Sequence, residues 1–315
     1  MTHNYNKMHP ALGRAVLLIS LVLLPASGWP HGWAGKRFFP STIITEDPFV
    51  NDEFSFVVGH IKAPDEDGAL NRTTNIEAEY TKTIFPKFGI SLGGNVNFVD
   101  PVNGDPDHSG FSNMEVGAKY QFFTSARYES LASIGLGASI GGTGNPNVPE
   151  GDAFSTLAPG IFFGQGFGFL PKHAKFFRPF AITGLVQANV PTVRESFVDG
   201  EFSQNPNTLT WGGAIEYSIP YLQAFVKDIG IPAPFNRMIP VVEASGTSCI
   251  DKACSGTTGT INPGVFWVGS YFQLGLEATI PFNDATGNHV GVMAQFHIFI
   301  DDAAPKSLGR PLFGN

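Results

Sequence analysis

Hydrophobic and polar residues alternate one by one along two neighbouring segments near the end of the chain, within residues 271–300. In the first segment Leu274 and Leu276 share one face, while Gln273 and Glu277 share the other. A period of two is typical of a pleated strand with two unlike faces. A polar turn containing glycine joins the segments and predicts an antiparallel hairpin. The hairpin alone leaves open whether its apolar face packs in a protein core or contacts lipid.

The same alternation recurs along most of the chain and predicts about twelve strands. These predicted strands are about twice as long as those of a soluble β-sandwich, which average five or six residues. They span residues 53–62, 72–85, 88–99, 111–123, 129–141, 153–165, 176–190, 207–221, 237–248, 257–268, 271–281 and 289–301.

The connectors between the predicted strands alternate in length. Odd-numbered connectors are long and polar, as in DPVNGDPDHSG, whereas most even-numbered ones are as short as Pro86-Lys87. Long external loops and tight periplasmic turns are typical of outer-membrane barrels. One even-numbered connector, residues 222–236, is long and rich in proline, which predicts an irregular periplasmic segment. The fold class predicted is therefore all-β, a transmembrane antiparallel barrel of about twelve strands over residues 53–301.

Composition favours a membrane location over a soluble β-protein with the same aromatic residues in its core. Only 15% of the 315 residues are charged, against roughly 25% in an average soluble domain. The formal net charge of -8 gives no support for nucleic acid as a partner.

The N-terminal region predicts export. Residues 1–28 combine Lys7 and Arg14 with a short apolar run and small residues, the parts of a secretory signal peptide cleaved after Gly28 or Ala34. Residues 29–52 form an irregular segment, placed either in the lumen or in the periplasm, and residues 302–315 form a tail. The predicted location is the outer membrane of a Gram-negative bacterium, with membrane lipid and the barrel-assembly machinery as partners.

Two cysteines, Cys249 and Cys254, lie in the polar segment SCIDKACSG between two predicted strands. In an exported chain such a pair predicts a disulfide that closes a small loop. A metal site is the alternative, but the segment offers no further cysteine and no nearby histidine. We therefore expect neither a metal nor a cofactor.

The stretch HGWAGKRFFPSTIITEDPFVNDEFSF resembles the start of the meta-pathway phenol-degradation family of outer-membrane proteins. The Thr-Asp-Asp-Pro-like motif of that family reads here Thr45, Glu46, Asp47, Pro48, with Glu46 in place of the usual aspartate. The C-terminal hairpin is similar to the family's end, although residues after Asp301 extend past the last predicted strand. The resemblance implies a barrel that moves small, often aromatic or apolar, compounds across the outer membrane.

If the apolar faces contact lipid, the polar faces line the lumen. Carboxylates predominate there, and a conduit that favours cations is one interpretation. Pairing of these charges across a narrow, plugged lumen is the other. The predicted lumen-lining residues are Glu77, Glu79, Glu115, Lys119, Glu216, Glu243, Gln273, Glu277, Gln295 and His297.

Three functions follow from this pattern. Passive or facilitated passage of a small molecule is the prediction, and a structural or adhesive surface barrel with a plugged lumen is the alternative. A lipid-acting barrel enzyme is a weaker alternative, because it would need a histidine within reach of a serine and an orienting polar group. His297 faces inward without a recognisable serine partner in the sequence, so no catalytic residue is predicted.

Overall fold

The structure is a computed structural model that describes residues 32–64, 68–198, 201–252 and 254–314. The predicted signal peptide, residues 1–28, lies outside the described residues. No helix among the described residues is long and apolar enough to cross a membrane.

Twelve antiparallel strands form one closed barrel. Each strand pairs with its neighbours along the chain, and β12 closes the barrel against β1 through pairs such as Phe296 with Phe56. The fold predicted from the alternating pattern is confirmed. The strands are β1 (Glu53–Pro64), β2 (Leu70–Phe85), β3 (Phe88–Pro101), β4 (Met114–Ser125), β5 (Ser130–Ile140), β6 (Thr156–Gly166), β7 (Phe180–Pro191), β8 (Thr208–Tyr217), β9 (Met238–Cys249), β10 (Thr257–Val268), β11 (Phe272–Pro281) and β12 (Gly291–Phe299).

Short strands and helical segments lie at the two ends of the barrel and in the chain before β1. Trp33–Ala34 pairs with Arg37–Phe38, His108–Phe111 pairs with β3, and Glu195–Val198 pairs with Glu201–Gln204. Helical segments span Lys172–Phe177, Ile219–Tyr221, Leu222–Val226, Phe235–Arg237 and Ile300–Ala303.

The side chains of the barrel are arranged inside out relative to a soluble protein. In β11, Leu274 and Leu276 are 45% and 55% exposed on the outer surface, whereas Gln273 and Glu277 are 0% and 1% exposed. An apolar outer face with its polar residues turned inward is the arrangement of a barrel that contacts lipid. Closure also satisfies the backbone hydrogen bonds that a lipid environment cannot satisfy.

Two predicted strands extended four residues too far at one end, and several others extended one to three residues too far. The strand predicted at 207–221 ends at Tyr217, because Ser218 caps a helical turn with its Oγ accepting from the backbone N–H of Tyr221 at 3.1 Å. The strand predicted at 176–190 begins at Phe180, because Phe176 and Phe177 belong to a short 3₁₀ helix. In both places, apolar residues at the barrel rim continue the alternating sequence pattern beyond the end of the observed strand.

The C-terminal tail explains a charged residue on the lipid-facing side of β2. Lys82 is only 9% exposed. Its Nζ donates to Oδ1 of Asp52 at 2.8 Å and to the backbone carbonyls of Leu308 and Arg310, each at 2.7 Å. Residues 308–310 of the tail therefore cover this ammonium group at the end of the barrel where β1 begins and β12 ends. Both termini of an outer-membrane barrel lie on the periplasmic side.

Candidate functional site

The segment before β1 lies inside the barrel. The Glu243 carboxylate accepts hydrogen bonds from the backbone N–H groups of Ile43, Ile44 and Thr45, at 2.8, 3.1 and 2.7 Å. Glu243 is fully buried near the middle of β9. Hydrogen bonds to an ionised acceptor are stronger than neutral ones. Of the two locations left open by the sequence, the lumen is therefore the one that residues 43–45 occupy.

Further hydrogen bonds hold the segment against both sides of the lumen. On one side, Nε2 of Gln273 donates to the carbonyl of Ser41 at 2.6 Å and to Oε1 of Gln295 at 2.8 Å. On the other, Nζ of Lys119 donates to the carbonyl of Asp47 at 2.7 Å. Such long-range bonds make the segment a plug built from the chain itself.

Arg37 fixes the plug at the periplasmic end. This fully buried guanidinium donates to the carbonyls of Pro179 and Phe180, at 2.8 and 3.2 Å. Its Nε lies 3.5 Å from the Glu129 carboxylate, and its charge sits 4.0 Å from the ring centre of Tyr221. The plug therefore enters near the connector between β6 and β7, rises into the lumen and returns to the start of β1.

Six of the ten predicted lumen residues surround this plug. All are at most 4% exposed and lie on β8, β9, β11 or β12, on one side of the lumen. They are Glu216, Glu243, Gln273, Glu277, Gln295 and His297. The structure thus places them in the sealed part of the lumen, where Glu243, Gln273 and Gln295 hydrogen-bond to the plug.

The other four predicted residues face open space on the opposite side. Glu79, Glu115 and Lys119 line an inner cavity of about 280 Å³ beside the plug. Glu77 lines a second cavity, here called the vestibule, of about 1270 Å³. Glu77 and Glu79 are separated by one residue on β2, so their inward positions are about 6.6 Å apart along the strand. The two cavities therefore come together along β2, while the vestibule also extends to β1 and β10 to β12 at the mouth of the barrel.

Small residues on β3 to β5 create the inner cavity. Gly93 lies in register with both Glu79 of β2 and Glu115 of β4, so the two carboxylates flank a position without a side chain. Gly117 and Gly135 line the same cavity. Larger inward-facing side chains at these positions would fill the space.

The four motif residues lie in the plug and connect its two sides. The backbone N–H of Thr45 is bound by Glu243, and Oε1 of Glu46 lies 2.6 Å from Nζ of Lys119. The carbonyl of Pro48 accepts a hydrogen bond from Oγ of Ser133 on β5. The motif therefore spans the lumen between β9 and the β4–β5 wall.

A loop folds inward over the vestibule. The backbone carbonyl of Glu150 accepts from the N–H of Asn113 at 2.8 Å, and its side-chain Oε2 accepts from Nδ2 of Asn95 at 3.0 Å. Glu150 has a φ of 60°, a left-handed conformation that is uncommon for a residue other than glycine. Such strained positions persist only where surrounding contacts enforce them. The loop thus holds a carboxylate at the mouth of the lumen.

The sequence analysis missed Asn95, Glu150 and Arg37 as lumen residues, for different reasons. Asn95 lies on the polar face of a predicted strand, so alternation could have identified it. Glu150 and Arg37 lie in irregular segments, where no period indicates which way a side chain points. Their roles depend on long-range contacts with Asn95 and with the carbonyls of β7 and the connector before it.

His297 lies in the sealed half of the lumen. Its Nε2 is 3.4 Å from Oε2 of Glu53, and Ser55 is its register partner on β1. At 1% exposure the imidazole is covered on its inner side and does not reach the lipid-facing surface. This location gives a lipid substrate no route to the ring.

The predicted disulfide between Cys249 and Cys254 is confirmed. It joins the end of β9 to the loop before β10, at the end of the barrel opposite the start of β1. Across the described ranges, no group of three or more His, Cys, Asp and Glu residues is arranged to hold a metal ion.

Comparisons with known proteins support the architecture. No family model matches the chain, and no curated protein matches it. The structure is similar to an outer-membrane channel from Pseudomonas putida F1, with a TM-score of 0.57 and 10% identity over 82% of this chain and 99% of that one. The chain is an outer-membrane β-barrel. The porins KdgM and NanC align with TM-scores of 0.44 and 0.47, at 9% and 7% identity, over 78% of this chain and 98% of each of theirs.

Proposed function

We propose that this barrel allows small molecules to cross the outer membrane along the wall formed by β2 to β5. The observation that supports this most directly is the pair of cavities on that wall, of about 1270 and 280 Å³. The six sealed polar residues lie on the other side, so the plug leaves one side of the lumen for a solute. The similar structure from Pseudomonas putida F1 is itself described as a channel.

The plug limits the inner end of this path. Phe49 and Val50 line the inner cavity, and a Cβ built on Gly89 of β3 would lie 2.9 Å from Cγ1 of Val50. Plug and wall therefore touch below the cavity. Complete passage requires residues 49–50 to move away from β3.

The chain is, by this proposal, a member of the meta-pathway phenol-degradation family. Support comes from the location of Thr45, Glu46, Asp47 and Pro48, which bridge the lumen instead of lying in an external linker. A motif in that position has a physical role in the plug, as expected for a family-wide feature of a transport barrel.

A permanently sealed structural or adhesive barrel is the second candidate. The six buried polar residues and the hydrogen bonds from Glu243 favour it, because they stabilise the closed lumen. An enzyme acting on lipid is weaker than either, since the imidazole of His297 is buried inside the barrel, away from the lipid-facing surface. Conductance decides between the two leading candidates.

The experiment uses a disulfide between plug and wall. The contact of Val50 with Gly89 puts their Cβ atoms within about 4.4 Å, a distance that a disulfide spans. The Val50→Cys/Gly89→Cys double variant, reconstituted in planar bilayers, should lose conductance when oxidised and recover it with dithiothreitol. Each single-cysteine variant controls for reduction of the native Cys249–Cys254 bond.

Wild-type protein should conduct in the same bilayers. If neither wild type nor a variant with a loosened plug, Glu243→Ala, conducts or swells solute-loaded liposomes, the sealed barrel is correct. Hydrolysis of phospholipid by the purified protein, lost in His297→Ala, would instead establish the enzyme.

A further inference from the structure

We propose that the path along β2 to β5 selects small aliphatic cations, with linear diamines as the best-fitting class, over anions and aromatic compounds. The inference rests on the proposed function and names its solute class. It differs from what the family resemblance implies, namely aromatic or apolar compounds.

The vestibule is lined by acidic side chains and by two histidines, His60 and His108. Four carboxylates line it, Glu77, Asp105, Glu150 and Asp152. None of the described residues that line the vestibule is a lysine or an arginine. A cleft of one sign with low-dielectric walls concentrates counter-ions. An anion entering from outside therefore meets repulsion before it reaches the inner cavity.

The inner cavity continues this series of acidic side chains. It is lined by Glu46, Glu79 and Glu115, with Lys119 as the one lysine or arginine among its described lining residues. The Lys119 ammonium is already engaged, since its Nζ lies 2.6 Å from the Glu46 carboxylate and 2.7 Å from the carbonyl of Asp47. Glu79 and Glu115 consequently remain as the carboxylates that can receive a second cation.

The carboxylates are spaced for a solute with more than one positive charge. Glu79 and Glu115 flank Gly93 across two strand pairings, which separates their backbones by about 9.5 Å. Glu77 stands one inward position above Glu79, about 6.6 Å along β2. Glu150, held by Asn95, stands above them at the mouth. A flexible diamine can contact two successive members of this series while it moves inward.

The vestibule lining gives an aromatic solute no aromatic side chain to stack on. Aromatic and hydrophobic side chains dominate sites for apolar ligands. No Phe, Tyr or Trp occurs among the described residues that line the vestibule, whereas six asparagines do. These are Asn71, Asn75, Asn95, Asn97, Asn103 and Asn147. Amide groups hydrogen-bond to polar solutes, and the apolar lining residues between them, such as Ile61, Val99 and Met293, are aliphatic.

An aromatic side chain that lines the inner cavity already contacts a cationic group of the protein. Phe162 lines this cavity, and the Nζ of Lys119 lies 4.8 Å from the centre of its ring. An ammonium group near an aromatic ring centre is a cation–π contact. The ring of Phe162 thus already accommodates the functional group that a diamine carries.

Reversal potentials across a salt gradient in planar bilayers test the proposal. Wild-type protein should prefer potassium over chloride, diaminobutane should carry current or block potassium current, and benzoate and phenol should do neither. The triple variant Glu77→Gln/Glu115→Gln/Glu150→Gln should shift the potassium–chloride reversal potential toward zero and lose the response to diaminobutane. The matched control Glu195→Gln, an exposed loop carboxylate outside both cavities, should behave like wild type.

These measurements distinguish a failure of the proposed passage from a failure of the proposed solute class. If no variant carries current, although the heat-dependent shift in gel mobility shows that the barrel is folded, the proposed function itself is overturned. Current that prefers anions, or a triple variant that keeps the wild-type reversal potential and diaminobutane response, overturns the solute class while passage stands. The charge-conserving variant Glu115→Asp should retain the cation preference, which separates loss of charge from loss of packing.

Discussion

The carboxylate of Glu243 accepts a hydrogen bond from the backbone N–H of Thr45 at 2.7 Å in the middle of the lumen. Removing this carboxylate should release the plug. In Glu243→Ala, three N–H groups lose their acceptor, and leaving a buried donor unpaired costs about 1–3 kcal/mol. We expect a lower unfolding temperature and a higher single-channel conductance, measured by heat-dependent gel mobility and in bilayers.

Glu216→Gln is the matched control for this prediction. Glu216 is a fully buried carboxylate on the neighbouring strand, and no hydrogen bond joins it to residues 43–45. Equal conductance in the two variants would show that Glu243 does not specifically hold the plug.

The strands were predictable because the membrane imposes a period on them. Every strand must present apolar side chains to lipid at alternate positions, so Leu274 and Glu277 could be assigned to opposite faces from their spacing alone. Strand ends were less accurate where rim residues such as Phe176 continue the apolar pattern outside the barrel wall.

The plug was not predictable by the same reasoning. Its residues have no period, and Glu243 binds them through backbone N–H groups, which almost every residue carries. Nothing in the sequence indicates that residues 43–45 are the ones chosen. The division of the ten lumen residues into six sealed and four accessible ones depends entirely on where the plug lies.

Lys82 and Asp52 should be essential for stability at the periplasmic rim. Lys82→Met keeps the length of the side chain but leaves a buried carboxylate and two tail carbonyls without their ammonium partner. Breaking a buried ion pair by removing one partner costs about 3–5 kcal/mol. We expect the urea midpoint for unfolding to fall well below that of Lys227→Met, which alters an exposed lysine of a periplasmic connector. Equal midpoints would contradict the structural role of the tail.

As the pH is lowered, the cation preference should weaken at a higher pH than the titration of an ordinary exposed carboxyl group would predict. The Glu150 side chain is exposed at the mouth of the lumen, but the wall and the loop around it partly desolvate it, and this raises its pKa even though Nδ2 of Asn95 donates to it. Burial also raises the pKa of Asp152 beside it.

The direction of the pH dependence follows from these raised pKa values. A raised folded-state pKa favours the neutral acid, so its contribution to stability is present below the unfolded value and is lost as pH rises through the folded one. Lowering the pH therefore neutralises Glu150 without unfolding the loop. Reversal potentials recorded over a pH series should move toward zero above the pH range of an exposed glutamate. Glu150→Gln should show a smaller change there, and an identical change would assign the effect to other groups.

The packing of residues 32–38 distinguishes between the two predicted cleavage positions. The strand Trp33–Ala34 pairs with Arg37–Phe38, the N–H of Phe39 donates to the carbonyl of Gly32 at 2.9 Å, and Ala34 is fully buried. Cleavage after Ala34 would remove one strand of this ribbon beside the anchor Arg37. We therefore predict cleavage after Gly28, to be checked by the intact mass of the protein purified from outer membranes. A mass that begins at residue 35 would show that the ribbon is dispensable for the mature barrel.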